Sequence, residues 1–228
     1  MGLINAVLPL RCEYCGAKGA AICTACARDL PWNQCACRFC ALPLNTPGTC
    51  AACLESAPPF DSAFAAFQLE APVQSQIHAL KYHAQFRHAQ GLGKLIAGRL
   101  AARSEPLPTL LIPVPLHTLR LRARGYNQSQ EFGRVLAQTL NIALDATAAR
   151  RVRATEDQIG KSAAERRRNI KNAFAITRAL DGLHIALLDD VMTTGATLAE
   201  LARACRKAGA ARIEAWAVTR AALEHPRA

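Results

Sequence analysis

Ile185-Ala186-Leu187-Leu188-Asp189-Asp190-Val191-Met192-Thr193-Thr194-Gly195-Ala196-Thr197-Leu198 runs from an apolar block into two adjacent carboxylates and then into a hydroxyl-rich turn. Ile185 to Leu188 is too short for a helix core and has polar neighbours, which fits a strand buried on both faces of a parallel sheet. That puts Asp189 and Asp190 at its carboxyl end. Beyond Gly195 the apolar spacing changes: Leu198, Leu201, Ala202 and Cys205 recur every three or four residues, one face of a helix. The expected junction is strand, loop, helix, with the helix beginning near Ala196 or Thr197. The first N–H groups of such a helix lack intrahelical partners and stand at the positive end of its dipole, and Thr193, Thr194 and Thr197 add hydroxyl donors. This is a pocket for an anion, most naturally a phosphate. The two carboxylates would repel that anion, so they suit hydroxyl groups or a divalent ion carried by the same ligand. A ribose 5-phosphate meets both requirements. A capped strand-to-helix turn would also contain Thr or Asp, but a cap needs one such residue rather than this succession. Neither a Gly-x-x-x-x-Gly-Lys-Ser/Thr loop nor a Gly-x-Gly-x-x-Gly loop is present.

The 228 residues suit one ordinary domain plus a small one, and an apolar fraction of 51% allows a proper core. With 5% aromatic residues, that core is mainly Ala and Leu packing. A net charge of +11 points to anionic ligands, which include nucleotides, pyrophosphate and nucleic acid. Leu3 to Leu10 is apolar but short, lacks a basic start and runs straight into cysteine pairs, so it does not read as a signal peptide. No stretch approaches transmembrane length, and no membrane insertion is expected.

Nine of the 10 cysteines precede Pro58, and eight form Cys-x-x-Cys pairs: Cys12 with Cys15, Cys23 with Cys26, Cys37 with Cys40, Cys50 with Cys53. Each such turn points two sulfurs at one centre, and two turns complete a tetrahedral zinc site. Two structural zinc ions are therefore expected. Short loops between neighbours favour two successive ribbons, Cys12/Cys15/Cys23/Cys26 and Cys37/Cys40/Cys50/Cys53; pairing the first turn with the third would also close two sites. Cys35 reads as a bystander that could substitute for Cys37, and Cys205 as a small apolar residue on a buried helix face. Residues 1–59 form this zinc segment, too poor in apolar residues to fold without metal, with Pro58-Pro59 as the boundary to a second domain over 60–228. Trp32 is expected to pack between the ribbons, although an exposed Trp there could stack on a base.

Ser62 to Leu69 reads as a strand, followed by helices over Val73–Leu80 and Phe86–Arg103, with Lys81 and Tyr82 in the break. His78, His83 and His88, spaced five apart, match neither a helix face nor a metal-ligand spacing and read as solvated. Thr109 to Val114 is a second buried strand. After it, Arg120, Arg122 and Arg124 precede Gly125 in what reads as a compact cationic loop beyond a strand end, followed by a helix to about Leu140. Bidentate Arg suits a diphosphate, and a solvated basic surface or nucleic-acid contact would look the same. Asp145 to Arg153 is a further strand candidate. The basic segment from Gln158 to Phe174, with Lys161 and Arg166, has the character of a lid over an anionic substrate or, equally, of a polar helix with one exposed face. Gly209 stops the helix after the central stretch, and Ile213 to Val218 reads as a last strand. Alternating strands and helices argue for an α/β fold, a mainly parallel sheet with helices on both faces.

The stretch Leu187 to Thr197 resembles the phosphoribosyl pyrophosphate (PRPP) motif of type I phosphoribosyltransferases. Together with the cysteine pairs, Pro113-Val114-Pro115-Leu116-His117, Arg122 to Ser129 and Arg166 to Phe174, nearly the whole chain is similar to the ComF family of competence proteins, including its GntX-like members. The resemblance implies a double zinc ribbon joined to a type I phosphoribosyltransferase domain, in a bacterial cytoplasmic protein linked to DNA uptake and natural transformation. It implies that Asp189 and Asp190 hold the ribose hydroxyls of PRPP, directly or through magnesium, and that Thr193, Thr194, Gly195, Ala196 and Thr197 wrap the 5-phosphate, with Val191 and Met192 also among the PRPP-binding residues. Arg122, Arg124, Lys161 and Arg166 are then the candidates for the pyrophosphate. Single-stranded DNA and DNA-uptake or recombination proteins are the partners it suggests. Two function classes follow, an enzyme that transfers phosphoribose to an acceptor and a non-catalytic PRPP sensor that binds single-stranded DNA.

Overall fold

The computed structural model describes residues 10–153 and 168–222. In chain order the elements are α1 (Thr24–Arg28), α2 (Ala51–Glu55), β1 (Ser62–Gln68), α3 (Val73–His83), α4 (Arg87–Ala101), β2 (Leu110–Pro113), α5 (Thr118–Arg124), α6 (Gln128–Leu140), β3 (Ala143–Leu144), β4 (Ala149–Arg151), β5 (Phe174–Ile176), β6 (His184–Met192), α7 (Ala196–Lys207) and β7 (Arg212–Arg220). Five strands form one parallel sheet in the order β1-β7-β6-β2-β3, and β4 and β5 pair antiparallel as a separate ribbon.

The apolar run of β6 lies at the centre of that sheet. Because side chains alternate along a strand, Ile185 and Leu187 face one layer, with Leu198, Leu201 and Cys205 of α7 and the β4–β5 ribbon, while Ala186 and Leu188 face Leu92, Ile96, Phe132 and Leu136 of α4 and α6. Both faces are thus covered, and each large side chain so buried contributes about 1.5–3 kcal/mol. The strand continues past the apolar run because β7 keeps pairing with it, Asp189 against Ala217, Val191 against Thr219 and Met192 against Arg220. From β2 the chain moves outward to β3, and from β6 it moves the other way to β7. Adjacent strands whose connections diverge leave a crevice at their carboxyl ends. The acid pair sits there.

The cysteine segment wraps the free edge of β1. Asn33 N–H donates to the Ala66 carbonyl, Gln68 N–H to Pro31 and Ala63 N–H to Arg38, so an edge that could pair with another chain is covered. Trp32 packs differently from the expectation: its ring lies 4.4 Å from that of Phe67 in β1, the Arg99 guanidinium sits 4.5 Å from it, and its Nε1 donates to the Ala27 carbonyl. It joins the first ribbon to the sheet rather than ribbon to ribbon, and its faces are taken. Lys81 and Tyr82 also move, from the expected break into the last turn of α3, which ends one residue after His83 at a left-handed Ala84. His78 and His83 are exposed as expected, but His88 is buried. Its Nδ1 lies 2.5 Å from Glu13 Oε2, which also accepts from Gln76, so the histidine ties the first ribbon to α3 and α4.

Glu214 is the other buried hub. It accepts from Arg103 through both oxygens, from Trp216 Nε1 at 2.9 Å and from His184 Nε2 at 2.8 Å. Burial pushes its carboxyl up, but these donors outweigh it and hold the group below the usual carboxylate range. A carboxyl depressed in the folded state stabilises above its unfolded pKa, and that contribution fades as pH falls through the folded value. Glu214→Gln should therefore cost about 3 kcal/mol in urea melts at pH 7, with a smaller deficit in acid; an equal deficit at every pH would contradict the charged hub.

Candidate functional site

The crevice at the carboxyl ends of β2 and β6 is a cleft of about 370 Å³ lined by Lys81, Tyr82, Arg120, Arg124, Gln128, Ser129, Arg151 and residues 189–198. Its floor is the acid pair. Asp189 Oδ1 accepts the Asp190 N–H at 2.9 Å and the Ser129 hydroxyl at 3.3 Å, and Asp190 Oδ2 lies 2.5 Å from Lys81 Nζ. Burial and the neighbouring Asp190 carboxylate push the Asp189 carboxyl up to about 7. Burial acts the same way on Asp190, but the Lys81 ammonium overrides it and holds Asp190 below the ordinary range. Two adjacent carboxylates, one of them buried, repel each other's charge, and the cleft sets Lys81 and Arg151 against them.

Above the floor the chain turns into α7 through Gly195, whose φ of +74° is left-handed, a conformation glycine adopts without strain. Thr194 Oγ1 accepts the Ala196 N–H at 3.3 Å, and Thr193, Thr194 and Thr197 all line the cleft. The helix starts at Ala196, as its apolar spacing requires. The structure therefore brings all nine residues from Asp189 to Thr197 into one cavity.

The arginines arrive differently. Thr118–Arg124 is a helix rather than a loop, so alternate residues do not share a face; Arg120 and Arg124, four apart, do. Arg124 lines the cleft as expected, Arg122 does not, and Arg120 takes the place given to it. The residues that follow shape the turn between α5 and α6. Gly125 ends α5 in the left-handed region, the Tyr126 hydroxyl donates to the Leu80 carbonyl, and Asn127 caps α6 by accepting the Ser129 N–H at 3.0 Å while donating to Val114. Arg124 Nη1 donates to Gln128 Oε1 at 2.6 Å. Lys161 and Arg166 lie outside the described residues. Lys81 and Arg151 are site residues the sequence reading missed; a lysine in the last turn of a helix normally signals only the helix dipole, and Arg151 lies in a strand of the separate ribbon.

The cysteines fall into two clusters, Cys12/Cys15/Cys23/Cys26 and Cys37/Cys40/Cys50/Cys53, each with its sulfurs within 4.8 Å of one another. A tetrahedral zinc with bonds of about 2.3 Å spaces its sulfurs roughly 3.8 Å apart; Cys15 and Cys23 stand at 3.7 Å, Cys40 and Cys50 at 3.6 Å. Backbone N–H groups of Cys23 and Cys50 point at the sulfurs of Cys12 and Cys37, supporting thiolate charge. The donor sets fit zinc, the ribbons are successive rather than interleaved, and Cys35 belongs to neither cluster.

Residues 3–54 match the double zinc ribbon domain family. The DNA utilization protein YhgH of Salmonella typhi is 36% identical over 218 residues, spanning 93% of this chain and 94% of that protein. Competence protein F of Haemophilus influenzae is 36% identical over 179 residues, spanning 75% of this chain and 78% of that one. Among solved structures, the allosteric regulatory enzyme of purine biosynthesis aligns at 18% identity with a TM-score of 0.39, covering 57% of this chain and 25% of that chain. A hypoxanthine phosphoribosyltransferase from Staphylococcus aureus aligns at 14% identity with a TM-score of 0.35, covering 57% and 61%. The chain belongs to the ComF family, with the YhgH and competence F proteins. Among the described residues no helix is long and apolar enough to cross a membrane.

Metal analysis of the purified chain should return two zinc ions. Cys26→Ser should lower that to one and Cys35→Ala should leave it at two; loss of zinc in Cys35→Ala would reassign that thiol as a ligand.

Proposed function

We propose that the cleft binds PRPP and that the protein transfers its phosphoribosyl group to an acceptor nucleophile. The observation that carries this reading is the meeting, in one cavity, of an acid pair, a hydroxyl-lined helix start and the basic residues Lys81, Arg120, Arg124 and Arg151. A ligand with a phosphate, a diol and a diphosphate presents these three chemistries together. Asp189 and Asp190 would hold the ribose hydroxyls, and Thr193, Thr194 and Thr197, with the first N–H groups of α7, the 5-phosphate. The cleft cations would receive the charge of the diphosphate. Magnesium fits the acid pair, since the Lys81 ammonium pairs with Asp190 while Asp189 forms no salt bridge among the described residues; when bound it would shield the diphosphate.

In the transfer, the bond from C1 to the diphosphate oxygen breaks and its electron pair leaves with pyrophosphate. The acceptor then forms its bond to C1 and passes its proton to solvent. As the ribose becomes oxocarbenium-like, the nearby Asp190 charge stabilises it. Lys161 and Arg166 belong to this proposal as the residues that would close over the diphosphate. The reading is of a cytoplasmic protein, since thiolate clusters that hold zinc suit a reducing compartment.

A second reading, a PRPP sensor that binds single-stranded DNA without turnover, is favoured by the rim of the cleft. Tyr82 is 58% exposed and Phe86 42%, with Phe86 edge-on to Tyr126 and the Arg124 guanidinium 5.6 Å from the Tyr82 ring. Exposed rings interleaved with arginine suit stacked bases. The names of the relatives, DNA utilization and competence, agree with such a partner.

Asp189→Asn with Asp190→Asn should weaken PRPP binding in magnesium at least tenfold by calorimetry; unchanged affinity would retire the assignment. Pyrophosphate release from PRPP with a panel of bases decides between the two readings. Release with any base supports transfer, whereas no release with a steep salt dependence of single-stranded DNA binding, weakened by Tyr82→Ala, supports the sensor.

A further inference from the structure

We propose that Arg220 couples zinc in the second cysteine cluster to the order of the Thr193 loop, so that this loop is shaped for a ligand only while that cluster is loaded. Arg220 ends β7 and is 2% exposed. A guanidinium keeps its proton under all physiological conditions, and a buried charge needs both hydrogen-bond partners and a counter-charge. The partners are all backbone carbonyls. Nε donates to Cys40 at 2.9 Å, and Nη1 to Met192 at 3.2 Å, to Ala221 at 2.7 Å and to Thr193.

No carboxylate among the described residues forms a salt bridge with Arg220; its Nε sits on the Cys40 carbonyl, and the groups that can set negative charge against it there are the sulfurs of the second cluster, Cys40, Cys50 and Cys53 among them. Four thiolates around one divalent zinc leave a net charge of about −2. The loaded second cluster is therefore the counter-ion of a guanidinium whose other face holds the carbonyls of the ligand loop. One residue earlier, Thr219 Oγ1 donates to the Asp190 carbonyl at 3.1 Å, so the tip of β7 grips the same loop at successive points. Without zinc the turn presenting the Cys40 carbonyl loses its anchor and Arg220 loses its counter-charge together. Among the described residues the first cluster has no such link. It is fastened through Glu13 to His88 and Gln76, on α4 and α3. Arg220 does not itself line the cleft and touches no reacting atom we assign, so it is a positioning residue.

The function of the loop as a ligand cradle rests on the proposal above, but the coupling can be read without any ligand. Amide hydrogen exchange of the full chain reports on residues 190–195 directly. Cys53→Ser, which removes the second zinc, should raise exchange there at least tenfold, while Cys26→Ser, which removes the first, should leave it unchanged. Arg220→Met should raise exchange over the same residues with both zinc ions retained and with α4 and α6 still protected, and Arg220→Lys should restore part of the protection. A merely structural arginine would loosen β7 as a whole and would not distinguish the clusters. Equal exchange in the two cysteine variants, or no change in Arg220→Met, would overturn the coupling; should Cys53→Ser fail to fold, Arg220→Met decides alone. Calorimetry of the wild type with PRPP is read separately. Absence of binding retires the cradle's assigned ligand and leaves the exchange result standing.

Discussion

Two carboxylates on consecutive residues at the end of a central strand impose the constraint to which the surrounding structure answers. Asp189 and Asp190 lie too close, and in too little water, to carry full charge together. Lys81, delivered from the end of α3, neutralises one of them at 2.5 Å, and the Ser129 hydroxyl from the start of α6 meets the other. The Tyr126 hydroxyl on the Leu80 carbonyl fastens the segment carrying Ser129 to the helix carrying Lys81. The acid pair thus dictates where two helices and a turn must dock.

The zinc segment belongs to the same assembly. It covers the edge of β1, sends Glu13 into the layer of α3 and α4, and meets the end of β7 through the carbonyl of Cys40. In a chain whose core is built largely of Ala and Leu, metal-stapled loops supply rigidity that a short ribbon could not derive from apolar burial. Trp32 packs on Phe67 of that edge strand instead of bridging the two ribbons.

Much of this was legible because it was contiguous. The strand, the acids, the hydroxyls and the start of α7 follow one another within fourteen residues of sequence, so local periodicity and helix-end chemistry were enough to assemble them. The cysteine clusters were legible through spacing alone. The basic half of the site was not, because Lys81, Arg151 and Arg120 come from three separate elements and meet only through packing. Arg122 does not line the cleft because Thr118–Arg124 folds as a helix, on which Arg120 and Arg124 share a face and Arg122 does not. His88 looked solvated since its partner, Glu13, is 75 residues away in sequence.

The most direct measurement is a crystal structure of the chain grown with PRPP and magnesium. The account predicts density for the ribose against Asp189 and Asp190, the 5-phosphate at the amides and hydroxyls of Thr193 to Thr197, and Lys81 drawn away from Asp190 toward the diphosphate. An empty cleft with Lys81 still on Asp190, or PRPP bound elsewhere, would contradict it.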